Sequence, residues 1–211
     1  MEENNTLTAE RSLEIIRESI ERSQRTITRN SSWSLIWWGA CVVVFALLIS
    51  YLWKNHGGPV WNVLWAVMWL TGYVGERMME KRKEPVPTTF VSKTISQVWT
   101  TFGIFIGAIG LIFCLMGFGI LPAIPIKMPM PEGHLYINVT SIISLCFGLA
   151  STVTGCVIKN RIVQICGLVA GLGGYFCAMQ YPWAEQLYVM AAVAVIGMIV
   201  PGVLIYFQNQ K

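Results

Sequence analysis

Residues equipped for acid–base or metal chemistry are sparse in this sequence. Glu132 and His134 stand near the end of the stretch from Gly117 to His134, which also holds Pro122, Pro125, Lys127, Pro129 and Pro131, and His56 is the only other histidine. A carboxylate beside an imidazole could pass a proton or share a metal ion, but zinc asks for about four ligands and a catalytic pair needs a nucleophile or convergent partners. Neither accompanies these two residues. The stretch reads better as a proline-stiffened loop resting on helix ends.

The other reactive types point the same way. Aspartate is absent, and the eleven glutamates lie in the N-terminal segment, around 76–84, or at Glu132 and Glu185, so no carboxylate interrupts a long apolar run. Ion-coupled transporters and membrane enzymes place costly ionisable groups inside the bilayer, and that signature is missing. Glu76 and Glu185 sit at the edges of apolar runs, where contact with water is expected. Cys41, Cys114, Cys146, Cys156, Cys166 and Cys177 all fall within apolar runs without a CxxC pair, as small buried hydrophobes do. No cofactor or metal site is expected.

The remaining polar candidates lie at helical spacing. Ser141, Ser144, Gly148, Ser151, Thr154 and Gly155 recur at threes and fours, a small polar face whose hydroxyls can bond neighbouring helices or, alternatively, line a polar substrate path. Gly103, Gly107 and Gly110, and again Gly167, Gly171 and Gly174, are spaced as in helices whose backbones approach closely.

These faces require long helices, and the composition supplies them. Of 211 residues, 55% are hydrophobic and 12% charged, with a mean hydropathy of +0.57; soluble domains carry about 25% charged residues. A helix of about 20 apolar residues crosses a hydrocarbon core of about 30 Å. Spans are expected at Trp33–Trp53, Pro59–Val74, Val98–Leu121, Leu135–Ile158, Ile162–Gln180 and Ala184–Phe207. The connections Lys159–Arg161 and Tyr181–Trp183 are so short that the last three spans must be antiparallel neighbours. No apolar h-region with a small-residue cleavage site is visible in the first 30 residues, so the first span is expected to act as its own insertion signal.

Orientation follows from lysine and arginine, which are retained on the cytoplasmic side of span ends. Arg11, Arg17, Arg22, Arg25 and Arg29 precede the first span; Arg77, Lys81, Arg82, Lys83 and Lys93 lie between the second and third; Lys159 and Arg161 between the fourth and fifth; Lys211 ends the chain. Only Lys54 and Lys127 fall on the other side, so 13 of the 15 basic residues agree with both termini in the cytoplasm. The net charge of +4 is accounted for by this flanking pattern, and nucleic acid is not an expected partner. Trp33, Trp53, Trp61, Trp99 and Trp183 lie at or near expected span ends, the headgroup level that indole prefers. Trp61, Trp65 and Trp69 form a stripe every four residues, suited to helix packing and lipid contact.

A faint repeat recurs where each even-numbered span nears the cytoplasm: Leu70-Thr71-Gly72-Tyr73-Val74, Val153-Thr154-Gly155-Cys156-Val157 and Val200-Pro201-Gly202-Val203-Leu204. Three helical hairpins would explain it. Ahead of the spans, Ala9, Leu13, Ile16, Ile20, Ser23 and Ile27 alternate by fours and threes, the seam by which one helix meets another. Glu18 with Arg22 and Glu21 with Arg25 add favourable i,i+4 pairs.

With Trp37-Trp38-Gly39 entering the first span, Thr154-Gly155-Cys156-Val157-Ile158-Lys159 leaving the fourth and Pro201-Gly202-Val203-Leu204 near the C-terminus, the chain resembles a family of small polytopic membrane proteins common in Bacteroidota. No established activity comes with that resemblance. Members often neighbour winged-helix transcription regulators, which implies a regulatory association.

The sequence thus leads to an all-α membrane bundle. Residues 1–32 form a cytoplasmic amphipathic helix, 33–207 six transmembrane helices with a candidate three-hairpin repeat, and 208–211 a cytoplasmic tail. The expected role is non-enzymatic: a cytoplasmic-membrane protein with a protein-association, regulatory or envelope-sensing function. Its partners would be the lipid bilayer and either a protein or a second copy, docked through Leu13, Ile16, Ile20 and Ile27. The rivals are a small transport or channel component, with a path along Ser141, Ser144, Ser151 and Thr154, and a membrane enzyme.

Overall fold

The computed structural model describes residues 9–81, 90–117, 120–121, 138–181 and 183–208. All regular structure among them is helical. Helix α1 spans Ala9–His56, 48 residues without a break, a rod of about 72 Å at ~1.5 Å per residue. Continuity follows from composition: no proline interrupts the segment, and its first glycine is Gly39. The sequence boundary between an amphipathic helix and a first span therefore has no structural counterpart, because nothing at Ser31 or Ser32 breaks the hydrogen-bond ladder.

Gly57 and Gly58, at φ +77° and +84°, turn the chain after α1, the left-handed region that glycine enters without a Cβ clash. A 3₁₀ turn, Pro59–Val63, then leads into α2, Leu64–Glu80. Helix α3 covers Phe90–Gly117, and α4 covers Val139–Val157. Asn138 caps α4, its Oδ1 accepting from Ser141 N at 3.0 Å.

The α4 exit is a Schellman turn. Asn160 N donates to Gly155 O at 2.9 Å and Lys159 N to Cys156 O at 3.2 Å, with Lys159 in the left-handed region at φ +55°. Asn160 then caps the next helix through Ile162 N at 2.9 Å. That helix, α5, runs Arg161–Gln180 and widens to a π-helical turn at Val169–Gly173. The last, α6, runs Trp183–Phe207 with a π-helical turn at Val195–Ile199. Pro201 accounts for the second widening, since its ring obstructs the carbonyl four residues earlier, that of Gly197.

Among the described residues, five helical stretches are long and apolar enough to cross a membrane: Ser32–His56, Ser92–Leu115, Val139–Val157, Arg161–Gln180 and Trp183–Phe207. Together with the composition they mark a membrane protein. The expected second span is also helical, but α2 has 17 residues and ends six beyond Val74. The third starts earlier than expected, and the described part of the fourth starts later, at Val139.

Helix α1 packs between α2 and α6; α6 packs on α5, α5 on α4, and α3 leans on α4. Cys41 and Val42 of α1, Met68 of α2 and Ala194 of α6 form one core cluster. Phe147, Ala170, Val193 and Met198 form a second, lined by Trp38, Trp99 and Phe102. Glycine sets the closest approaches. A Cβ on Gly39 would lie 2.7 Å from Ile199 Cγ1, and one on Gly202 would lie 2.8 Å from Ile36 Cγ1, so side chains of α1 and α6 pack into each other's glycine notches. The glycines of the faint repeat share tight packing but not partners: Gly72 and Gly202 abut α1, whereas Gly155 abuts Gln164 of α5.

Candidate functional site

The most developed polar constellation joins the middle of α1 to the end of α2. On α2, Trp65, Trp69, Gly72 and Glu76 follow at steps of four, three and four, which puts them on one helix face. On α1, Ser34, Trp37 and Trp38 face them. Glu76 Oε1 accepts from Ser34 Oγ at 2.7 Å, and its Oε2 accepts from Trp38 Nε1. Trp37 Nε1 donates to the Gly72 carbonyl at 3.1 Å. Both indoles need glycine opposite them: a Cβ on Gly72 would lie 2.7 Å from Trp38 Cη2, and one on Gly75 would lie 2.7 Å from Trp37 Nε1. Trp38 also meets Trp69 edge-on, with centroids 5.4 Å apart.

Glu76 therefore departs from the expectation of a solvated boundary residue. It is partly buried and bonded across the helix pair. Both donors are neutral, and the neighbouring Arg77 turns instead to the Tyr73 hydroxyl at 3.0 Å and to Glu80 at 3.3 Å. A carboxylate satisfied in this way works as a clasp between helices. The clue lay in the α2 sequence, where Glu76 continues the tryptophan stripe in helical phase; hydropathy averaging concealed it.

The small polar face of α4 is packed shut. Ser141, Ser144, Ser151 and Thr154 are all buried. Ser144 Oγ donates to Thr140 O at 2.7 Å and Thr154 Oγ1 to Ala150 O at 2.8 Å, each one turn back along the helix. Between them, a Cβ on Gly171 would lie 2.6 Å from Gly148 Cα, one on Gly167 would lie 2.7 Å from Thr152 N, and one on Gly155 would lie 2.6 Å from Gln164 N. Helices α4 and α5 thus meet at backbone contact along this face. The π turn of α5 contains Gly171, so the wide turn coincides with the closest approach.

The α3 glycines behave differently. Among the described residues, Gly107 and Gly110 have no heavy atom within 4 Å of a built Cβ, and Gly103 meets only the Trp69 ring, at 3.5 Å. Of the expected docking seam, Leu13 is 65% exposed, and Ile15, off that seam, is exposed too. The helix backbone carries Ile16, Ile20 and Ile27, whose side chains lie outside the described set.

His56 stands 6.4 Å from Trp61, ring to ring. Glu132 and His134 lie outside the described residues. No group of three or more metal-binding side chains occurs among the described residues. Family models, curated proteins and solved structures were each searched, and none matches the chain.

Proposed function

We propose that this chain is a non-enzymatic protein of the cytoplasmic membrane that crosses it six times, with both termini in the cytoplasm, and presents the start of α1 to a protein partner in a regulatory or envelope-sensing role. The observation that carries this reading is the unbroken α1. Its residues 9–31 extend about 35 Å at ~1.5 Å per residue beyond the span that begins at Ser32, and Leu13 and Ile15 are exposed on that extension. A rigid helix rooted in the bundle at Ser34 and Trp38 transmits a tilt in either direction: a partner bound near Leu13 acts on the α1–α2 clasp, and a change in the bundle acts on the partner.

Sealing of the α4 face by α5 glycines favours this reading over a transport path along Ser144 and Ser151. The sixth crossing would be the 3₁₀ turn Pro59–Val63 with α2, from Pro59 to Glu80, and the 13-to-2 distribution of basic residues orients the whole.

A photo-crosslinking residue at position 13 of the full chain, in native membranes, should capture a discrete protein neighbour that the same residue at Val44 on the exposed membrane face does not. Capture of lipid alone at both positions defeats the proposal. Orientation has its own test in a cysteine-free variant. A cysteine placed between 122 and 134 should react with an impermeant thiol reagent in intact cells, while one at position 12 or 83 should react only after permeabilisation; the reverse pattern inverts the topology.

A further inference from the structure

At the end of the bundle opposite the N-terminus, the last turn of the first span and the first turn of the last enclose a shallow recess of ≈ 400 Å³, lined by Trp53, Lys54, Trp183, Ala184 and Glu185. Its floor is fixed, because the buried Ser50 Oγ donates to the Ala184 carbonyl at 3.0 Å. Two opposite charges share its rim. Lys54 Nζ lies 3.5 Å from Glu185 Oε1, and both side chains are close to half exposed, at 41% and 52%. A closed ammonium–carboxylate hydrogen bond is about 2.7–2.9 Å long, so this pair is loose. Lys54 Nζ also lies 4.9 Å from the centre of the Tyr188 ring.

Trp183 adds a second feature. It is a non-glycine residue at φ +61°, and its indole is 63% exposed. A left-handed tryptophan is uncommon and strained, and here it lines the recess together with Trp53. Two amphipathic rings at span ends lie at the depth of lipid headgroups.

We propose that this recess binds the headgroup of a zwitterionic phospholipid. The phosphate lies on Lys54, and the ammonium lies on Glu185 and against the faces of Trp53 and Trp183. Net charge selects the class. An anionic headgroup finds one lysine but is opposed by Glu185, and a free cation finds Glu185 but is opposed by Lys54. A zwitterion satisfies both and replaces one loose pair with two separate contacts. The membrane supplies the occupant because the recess opens at the ends of two membrane-crossing helices.

The test is native mass spectrometry of the full chain, released from mixed micelles containing equimolar phosphatidylethanolamine and phosphatidylglycerol of matched acyl chains. Wild-type protein should retain phosphatidylethanolamine several-fold over phosphatidylglycerol. Glu185→Gln should turn the preference toward phosphatidylglycerol by leaving Lys54 unopposed, and Lys54→Gln with Glu185→Gln together should abolish it. Equal retention by the wild type overturns the proposal, as does a preference that survives the double substitution. Tight retention of free phosphoethanolamine without lipid would assign the site to a soluble zwitterion and overturn the lipid assignment. The wild-type comparison decides the matter even where a variant fails to fold.

Discussion

Replacing Gly148 by alanine adds one methyl group where α4 meets α5 backbone to backbone. The new Cβ would lie 2.9 Å from both Gly167 O and Gly171 N, whereas non-bonded atoms rest about 3.5–4.0 Å apart. Gly171 Cα would lie nearer still; all three opposing atoms are backbone, so no side chain can swing away, and α4 and α5 must part by more than about 1 Å at that level. Overpacking of this kind costs about 1–3 kcal/mol, and alanine's better helix propensity returns about 0.5–1 kcal/mol. The net expectation is a loss of about 1–2 kcal/mol. The same substitution at Gly107 meets nothing within 4 Å among the described residues and should be neutral or gain up to about 1 kcal/mol. Detergent-titrated unfolding of the purified protein in mixed micelles, followed by tryptophan fluorescence, measures both. Tolerance of Gly148→Ala, or an equal loss at Gly107, would refute the reasoning that burial against backbone, and not glycine spacing as such, makes these residues necessary.

Glu76→Ala removes the acceptor for Ser34 and Trp38 and should cost about 2–3 kcal/mol. Glu76→Gln keeps an acceptor and should lose less than half of that in the same unfolding assay. Lys159→Gly relieves a left-handed lysine at φ +55° and should raise stability by about 0.5–1 kcal/mol, read as an upward shift of the thermal midpoint. Asn160→Ala removes the cap on Ile162 N and should cost about 1 kcal/mol, with faster hydrogen exchange confined to the amides of early α5. Gly72→Leu would collide with the Trp38 ring and should lower the fluorescence-detected midpoint by more than Gly103→Leu, whose neighbour is the Trp69 ring edge at 3.5 Å.

Membrane character, the helical class, the C-terminal end of α1 and the approximate ends of α5 and α6 were legible in the sequence. Hydropathy is a local sum: about 20 consecutive residues decide whether a segment prefers lipid, whatever the rest of the chain does. The span expected at Ile162–Gln180 lies within one residue of Arg161–Gln180, because Asn160 before it and Tyr181-Pro182 after it are local stop signals. The small polar face of α4 was legible for the same reason, since three-four spacing is a property of one helix alone.

The short connections already made α4, α5 and α6 neighbours; how the other helices pair, and which residues meet, was decided only by the tertiary structure. Two glycine stripes, on α3 and α5, look alike in sequence, yet Gly171 meets Gly148 at backbone contact while a Cβ on Gly107 would have nothing within 4 Å among the described residues. Spacing states which residues share a face; it does not state which helix arrives there, because that depends on every other contact in the bundle. Glu76 shows the same limit. Its position at the edge of an apolar run fitted contact with water, and only the arrival of Ser34 and Trp38 on the facing helix supplied donors that hold it between helices. The fusion of the N-terminal segment with the first span into one α1 rod required no distant partner, since an uninterrupted hydrogen-bond ladder continues until a residue breaks it.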